Sequence, residues 1–85
     1  MDIFRTYDDF QKNVRVMAPT IIRHGMDSEI GKEYARRVLK FNAAVAKQAG
    51  LSENSTMAEV DPATVLNKEA RRLQIELADW ARTLP

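Results

Sequence analysis

Apolar side chains recur at intervals of three and four residues along three segments of this chain. Such intervals place the side chains on one face of an α-helix, whereas a strand would need an apolar residue at every second position. We therefore expect an all-α fold, a small antiparallel bundle of three helices joined by short connections. Because a chain of 85 residues buries too little surface for two independent cores, we expect a single helical domain over residues 1–85.

The first apolar stripe predicts a helix over about residues 6–24, and its members are Ile3, Tyr7, Phe10, Val14, Met17 and Ile21. Thr6 and Asp9 have the spacing of a capping box, in which each side chain accepts a hydrogen bond from the other residue's backbone N–H. Pro19 lacks an N–H and disfavours helical geometry in the residue before it. We therefore expect a break near residue 19, and a complete break would make the bundle four-helical.

A second helix is predicted over about residues 28–49. Asp27 or Ser28 can cap its start, and Gly50 offers the left-handed conformation that commonly ends helices. One face of this helix is apolar and consists of Ile30, Tyr34, Val38, Phe41, Val45 and Ala49. Another face carries a basic stripe of Lys32, Arg36, Lys40 and Lys47, with Arg37 beside it.

A third helix is predicted over about residues 62–84. Asp61 fits its N-cap and Pro62 its first position, while Val60 and Val65 have the spacing of a hydrophobic staple. The apolar residues of this segment keep heptad spacing and are Ala63, Leu66, Ala70, Leu73, Leu77, Trp80 and Leu84. This pattern is typical of a seam that packs against neighbouring helices.

Residues 50–61, which join the second and third predicted helices, contain three acidic side chains and no basic one. We expect an acidic loop there. The preceding helix end resembles a DNA-binding motif, because residues 45–56 read VAKQAGLSENST and are similar to the middle of a helix-turn-helix. This resemblance implies that Gly50 permits the tight turn, that Ser52 caps a recognition helix, and that three residues face the bases: Glu53, Asn54 and Thr56. The family places apolar residues where this chain has Thr56 and Glu59.

Few residues are suited to catalysis or metal binding. The chain has no Cys and one His, His24, which excludes thiolate sites and leaves too few ligands for a His-based metal site. Asp8 and Asp9 point about 100° apart on a helix and fit the helix dipole better than paired acid–base chemistry. No phosphate-binding glycine motif occurs. We expect no enzymatic activity, no metal and no cofactor.

The chain has a formal net charge of +1, too small to indicate a nucleic-acid or membrane partner by itself. No apolar run approaches the roughly 20 residues needed to span a bilayer. Asp2 stands where a signal peptide would be basic. We expect a cytoplasmic protein that does not interact with membranes.

Apolar residues outside the predicted core faces, namely Val16, Leu39 and Ile75, indicate contact with another chain. We therefore expect a non-catalytic protein-interaction module that docks a helix face on a larger partner. It would be an adaptor, chaperone-like subunit or inhibitor of the kind that phage and bacterial accessory genes supply, and a homodimer is one form it could take. The predicted partner-binding residues are Arg36, Arg37, Leu39, Lys40, Lys47, Arg71, Ile75 and Arg82. The alternative is a small nucleic-acid-binding regulator that uses the basic stripe with a partial helix-turn-helix at residues 45–60.

Overall fold

A computed structural model describes residues 5–51 and 60–85, and within these ranges the chain is all-helical, with three helices and no strand. Helix α1 spans Tyr7–His24, α2 spans Glu29–Ala49 and α3 spans Lys68–Arg82. The all-α prediction is confirmed. Over the same described ranges, each helix is too short or too polar to cross a membrane. Most of the predicted acidic loop lies outside the described residues.

Helix α1 begins with the predicted capping box. The Thr6 hydroxyl accepts a hydrogen bond from Asp9 N at 3.3 Å, and the Asp9 carboxylate accepts one from Thr6 N at 3.0 Å. The same carboxylate accepts a third bond from Arg5 N at 3.1 Å. These bonds favour the charged form of the carboxylate and hold the pKa of Asp9 below its ordinary value. The bond from the Thr6 backbone has the largest effect.

Pro19 does not break α1, which runs without interruption from Tyr7 to His24. The break predicted near residue 19, and with it the four-helix alternative, is wrong. Pro19 and Arg15, whose carbonyl loses its helical donor, both lie on the exposed side of the helix. Water can therefore satisfy that carbonyl, so the missing hydrogen bond does not end the helix.

Helix α2 matches its predicted limits because both ends are locally encoded. The Ser28 hydroxyl accepts a hydrogen bond from Gly31 N at 3.1 Å, and Gly50 adopts a left-handed φ of 72°. Gly31 also allows the preceding loop to pass close to the helix, since a Cβ at this position would collide with the Met26 carbonyl. The loop between α1 and α2 is correspondingly tight.

Helix α3 begins at Lys68, six residues after the predicted start at residue 62. Asp61 does not cap a helix; its carboxylate accepts a hydrogen bond from Ala63 N at 2.8 Å and forms a turn. The cap is Asn67, whose side chain accepts a hydrogen bond from Ala70 N at 2.9 Å. The predicted staple is also wrong, because Val60 is buried while Val65 is 60% exposed.

The reason for the late start is a set of hydrogen bonds to the beginning of α1. Tyr7 N donates to Thr64 O at 2.9 Å, and Asp8 N donates to Pro62 O at 2.9 Å. Leu66 N donates to Arg5 O at 2.7 Å. These bonds satisfy N–H groups in the first turn of α1 that have no partner within the helix. Residues 62–66 therefore remain extended or turned instead of joining α3.

Three stacked aromatic rings lie in the core between α1 and α2. The Phe10 and Phe41 ring centroids are 3.9 Å apart, and Tyr7 lies 5.8 Å from Phe10 and 6.4 Å from Phe41. Helix α3 closes this core with its buried residues Ala70, Gln74, Leu77 and Ala78. Leu73 and Trp80 of the predicted heptad seam are half-buried and pack against the same cluster.

The helix ends are joined by specific contacts. Gln48, at the end of α2, donates to Val65 O at 2.5 Å and accepts from Asn67 N at 2.8 Å, just before α3 begins. At the other end of the molecule, Arg23 of α1 donates to Pro85 O at 2.9 Å, just after α3 ends. The end of α2 therefore lies beside the start of α3, and the end of α1 lies beside the end of α3.

Replacing Phe41 with Ala removes the ring that joins α1 to α2 and should lower the free energy of unfolding by about 3–5 kcal/mol. Urea denaturation followed by circular dichroism measures the change. Leu39→Ala on the same helix is the control, because Leu39 is 67% exposed and its truncation should change stability by no more than about 0.5 kcal/mol. Equal effects of the two substitutions would contradict the described core.

Because the pKa of Asp9 is lower in the folded chain, its carboxylate stabilises the fold fully above the unfolded pKa of about 3.9. This contribution is lost as pH falls through the lowered folded pKa. Asp9→Asn should therefore be less stable than the wild type near neutral pH, and the difference should shrink in acid. Urea denaturation at about pH 7 and about pH 2 measures both. Asp27→Asn, the same substitution at an exposed loop position, is the matched control.

Candidate protein-interaction surfaces

Two adjoining depressions follow the line where α2 and α3 pack together. We call them the α2–α3 groove. Its α2 side consists of Glu33, Arg36, Arg37, Lys40, Ala43, Ala44 and Lys47, and its α3 side of Glu69, Arg72, Leu73 and Glu76. All four cations that the sequence predicts as partner-binding on α2 lie in this groove.

Two of those four cations are engaged within the chain. Arg37 Nε lies 2.7 Å from Glu33 Oε2, and Arg36 forms an ion pair with the other oxygen of the same carboxylate. The Arg37 guanidinium also lies over the Trp80 ring, 5.3 Å from its centroid, and thus joins α2 to α3 by a cation–π contact. Arg37 is consequently a packing residue at the end of the groove that contains Glu33.

The other two cations, Lys40 and Lys47, are exposed and make no hydrogen bond or ion pair with any described residue. They lie seven residues apart on α2, which is about 10.5 Å along the helix axis. They are therefore the cations of the groove that are available to another molecule.

The α3 side of the groove carries two carboxylates, Glu69 and Glu76, that the predicted partner-binding set does not include. Both are exposed, and Glu76 forms an ion pair of 3.2 Å with Arg72 on the preceding turn. They too are seven residues apart, and this shared heptad interval was the signal in the sequence. The groove therefore has a positive side and a negative side.

A second surface lies on the outward face of α3 around Ile75. Ile75 is 41% exposed, and the described residues around it form a shallow depression lined by Lys68, Glu69, Arg71, Arg72, Ile75 and Glu76. Arg71 and Ile75 of the predicted set thus lie together. Arg82 lies farther along α3 and pairs with Asp79 at 3.2 Å, and Leu39 lies on α2 outside both surfaces.

The exposure of Val16, Leu39 and Ile75, expected from the sequence, is confirmed. Three further large apolar side chains are exposed in the described part of the chain: Ile22, Met26 and Val65. Ile22 and Met26 fall near the loop between α1 and α2, and Val65 precedes α3. These side chains are distributed over several faces, and Ile75 is distinguished by the charged residues of both signs around it.

Gln74 is a buried polar residue that sequence analysis did not identify. Its side chain is fully buried on the core face of α3, and neither amide atom has a hydrogen-bond partner. The Nδ2 atom of Asn13 on α1 is likewise buried and unpaired. Such groups destabilise a fold by the lost hydration of each polar atom.

The described residues contain no group of three or more side chains suited to hold a metal ion. Burial raises the pKa of Tyr7 and of Tyr34 above the ordinary value of 10.0. These shifts follow from core packing and need no catalytic explanation. The arrangement around the two surfaces is suited to recognising another molecule through charge and apolar contact.

The residues that the helix-turn-helix resemblance places against DNA, Glu53, Asn54 and Thr56, lie outside the described residues. Gly50 has the left-handed φ that the motif needs at its turn, but many helices end in the same way. Comparison with protein-family models, curated proteins and solved structures found no significant match to this chain.

Replacing Gln74 with Met removes a buried unpaired amide at similar volume and should raise the free energy of unfolding by about 1–3 kcal/mol. Gln48→Met is the matched control, because the Gln48 amide makes two hydrogen bonds. That change should lower stability by about 1 kcal/mol. Urea denaturation of both variants measures the two shifts. A destabilised Gln74→Met variant would mean that the amide has a partner in solution.

Proposed function

We propose that this chain is a non-catalytic helical protein-interaction module that docks the outward face of α3 on a larger protein partner in the cytoplasm. It would act as an adaptor, chaperone-like subunit or inhibitor, of the type supplied by phage and bacterial accessory genes. The observation that carries the proposal is the exposed Ile75 side chain within a ring of charged residues on α3. An apolar centre with a charged rim is the usual anatomy of a protein interface.

The proposal includes an antiparallel, up-down-up arrangement of the three helices within a single domain. The contacts of Gln48 with Val65 and Asn67, and of Arg23 with Pro85, support it, because they fit helices that alternate in direction. In this arrangement the core faces of all three helices point inward. The face of α3 around Ile75 is then free to contact a partner.

Charge favours a protein partner over a nucleic acid. The basic stripe of α2 shares its groove with three carboxylates, those of Glu33, Glu69 and Glu76. Each would repel a phosphate backbone at close range. Arg36 and Arg37 are paired with Glu33, and Lys32 is paired with Glu29, which leaves Lys40 and Lys47 as the unpaired cations of that stripe.

Ile75→Asp should abolish partner binding while leaving helical content unchanged, because the apolar contact at the interface centre is lost and the new carboxylate must give up its hydration there. The control is Ile22→Asp, which changes the same residue type at an exposed position on α1. Each tagged variant is expressed in its own host, and the co-purifying proteins are quantified by mass spectrometry.

The proposal expects one protein to co-purify stoichiometrically with the wild type and with Ile22→Asp, and to be at least about tenfold depleted with Ile75→Asp. A partner retained by Ile75→Asp would contradict docking through this face. Co-purification of nucleic acid whose binding weakens steeply with salt would instead favour the nucleic-acid regulator.

A further inference from the structure

We propose that the α2–α3 groove binds a second copy of this chain, with Lys40 and Lys47 of each copy facing Glu76 and Glu69 of the other. This dimer goes beyond the proposed function, because it is centred on the groove between α2 and α3, which Ile75 does not line. The two surfaces meet at Glu69, Arg72 and Glu76. It follows from how the four charges are placed.

The four charges form two level pairs across the groove. Lys40 and Glu76 both line each of its two depressions, and Lys47 and Glu69 both line the depression nearer the end of α2. The contact of Gln48 with the residues just before α3 fixes this register. At each of these two positions along the groove, a lysine of α2 therefore lies across from a glutamate of α3.

A twofold axis parallel to the helices rotates one copy onto the other by 180° and does not shift it along the helix direction. Applied to the groove, this axis places α2 of one copy opposite α3 of the other. Lys40 then faces Glu76 of the second copy, and Lys47 faces Glu69, so that four intermolecular ion pairs form at two levels. The same surface serves both copies, which is the requirement for a closed twofold interface.

The floor of the groove permits close approach of a second helix pair. It consists of the small side chains Ala43 and Ala44 on α2 and the half-buried Leu73 on α3. Small residues let helices approach, and the aliphatic stems of the flanking lysines can cover the apolar floor. Charged residues at heptad spacing beside an apolar line are also how coiled coils select their partners.

The distribution of unpaired charges favours a second copy over another occupant. Lys40, Lys47 and Glu69 make no ion pair with any described residue. The groove therefore carries unpaired charges of both signs. A phosphate backbone or a purely acidic peptide would match the lysines and be repelled by the glutamates. A second copy matches both.

Two charge-reversed variants test the dimer. In a pair of identical chains, Lys40→Glu/Lys47→Glu makes all eight facing charges negative, and Glu69→Lys/Glu76→Lys makes all eight positive. Each variant alone should dimerise at least about tenfold more weakly than the wild type at low salt, because like charges face each other. Mixed in equal amounts, the two variants should form a heterodimer, because every facing pair is then opposite in sign. Sedimentation velocity measures all four samples, and circular dichroism checks that each variant is folded.

A wild-type chain that stays monomeric up to about 1 mM, which corresponds to a binding free energy weaker than about −4 kcal/mol, would overturn the proposal. So would folded variants that dimerise as well as the wild type, or a mixture that remains monomeric. If a variant does not fold, the salt dependence of the wild-type dimer decides, because a dimer held by these pairs must weaken as salt rises. Ile75→Asp should dimerise normally, so that loss of the dimer and loss of the larger partner are distinguishable.

Discussion

The hydrogen bonds between residues 62–66 and the start of α1 set the geometry of the rest of this chain. Tyr7 N and Asp8 N at the first turn of α1 donate to backbone carbonyls of this segment, and Leu66 N donates back to Arg5 O. A segment held in this way cannot use its N–H and C=O groups within a helix. The start of α3 is therefore displaced to Lys68, and this start determines which α3 residues lie beside which α2 residues.

The displaced start has an electrostatic consequence in the α2–α3 groove. Glu69 and Glu76 line the same groove as Lys40 and Lys47, so a stripe that is basic along the sequence becomes a groove that carries both signs of charge. Arg37, which lies in the same stripe, is instead fixed by Glu33 and by the Trp80 ring. Cations adjacent in sequence thus divide into packing residues and residues that face solvent. The proposed self-association depends on the second group, and the proposed docking of a larger protein depends on Ile75. The two surfaces meet at Glu69, Arg72 and Glu76.

The core combines strong and weak features. The stacked Tyr7, Phe10 and Phe41 rings fix α1 on α2 through large apolar contacts at close range. Gln74 lies within the buried face of α3, where its unpaired amide opposes folding. A fold of this size has little stability in reserve. One unpaired amide is therefore a substantial fraction of the total.

Several features of this chain can be predicted from its amino-acid order, because they depend only on neighbours within one turn of helix. These are the all-α class, the Thr6–Asp9 capping box, the Ser28 cap, the Gly50 helix end and the exposure of Val16, Leu39 and Ile75, because each follows from local spacing and residue type. The folded arrangement sets the start of α3, the continuity of α1 through Pro19, the burial of Gln74 and the position of the carboxylates beside the basic stripe. Each of these depends on groups distant in sequence or on which side of a helix meets water. Local propensity does not encode that information, since the same Asp61–Pro62 pair can open a helix or a turn, and here Asp8 N of α1 donates to the Pro62 carbonyl.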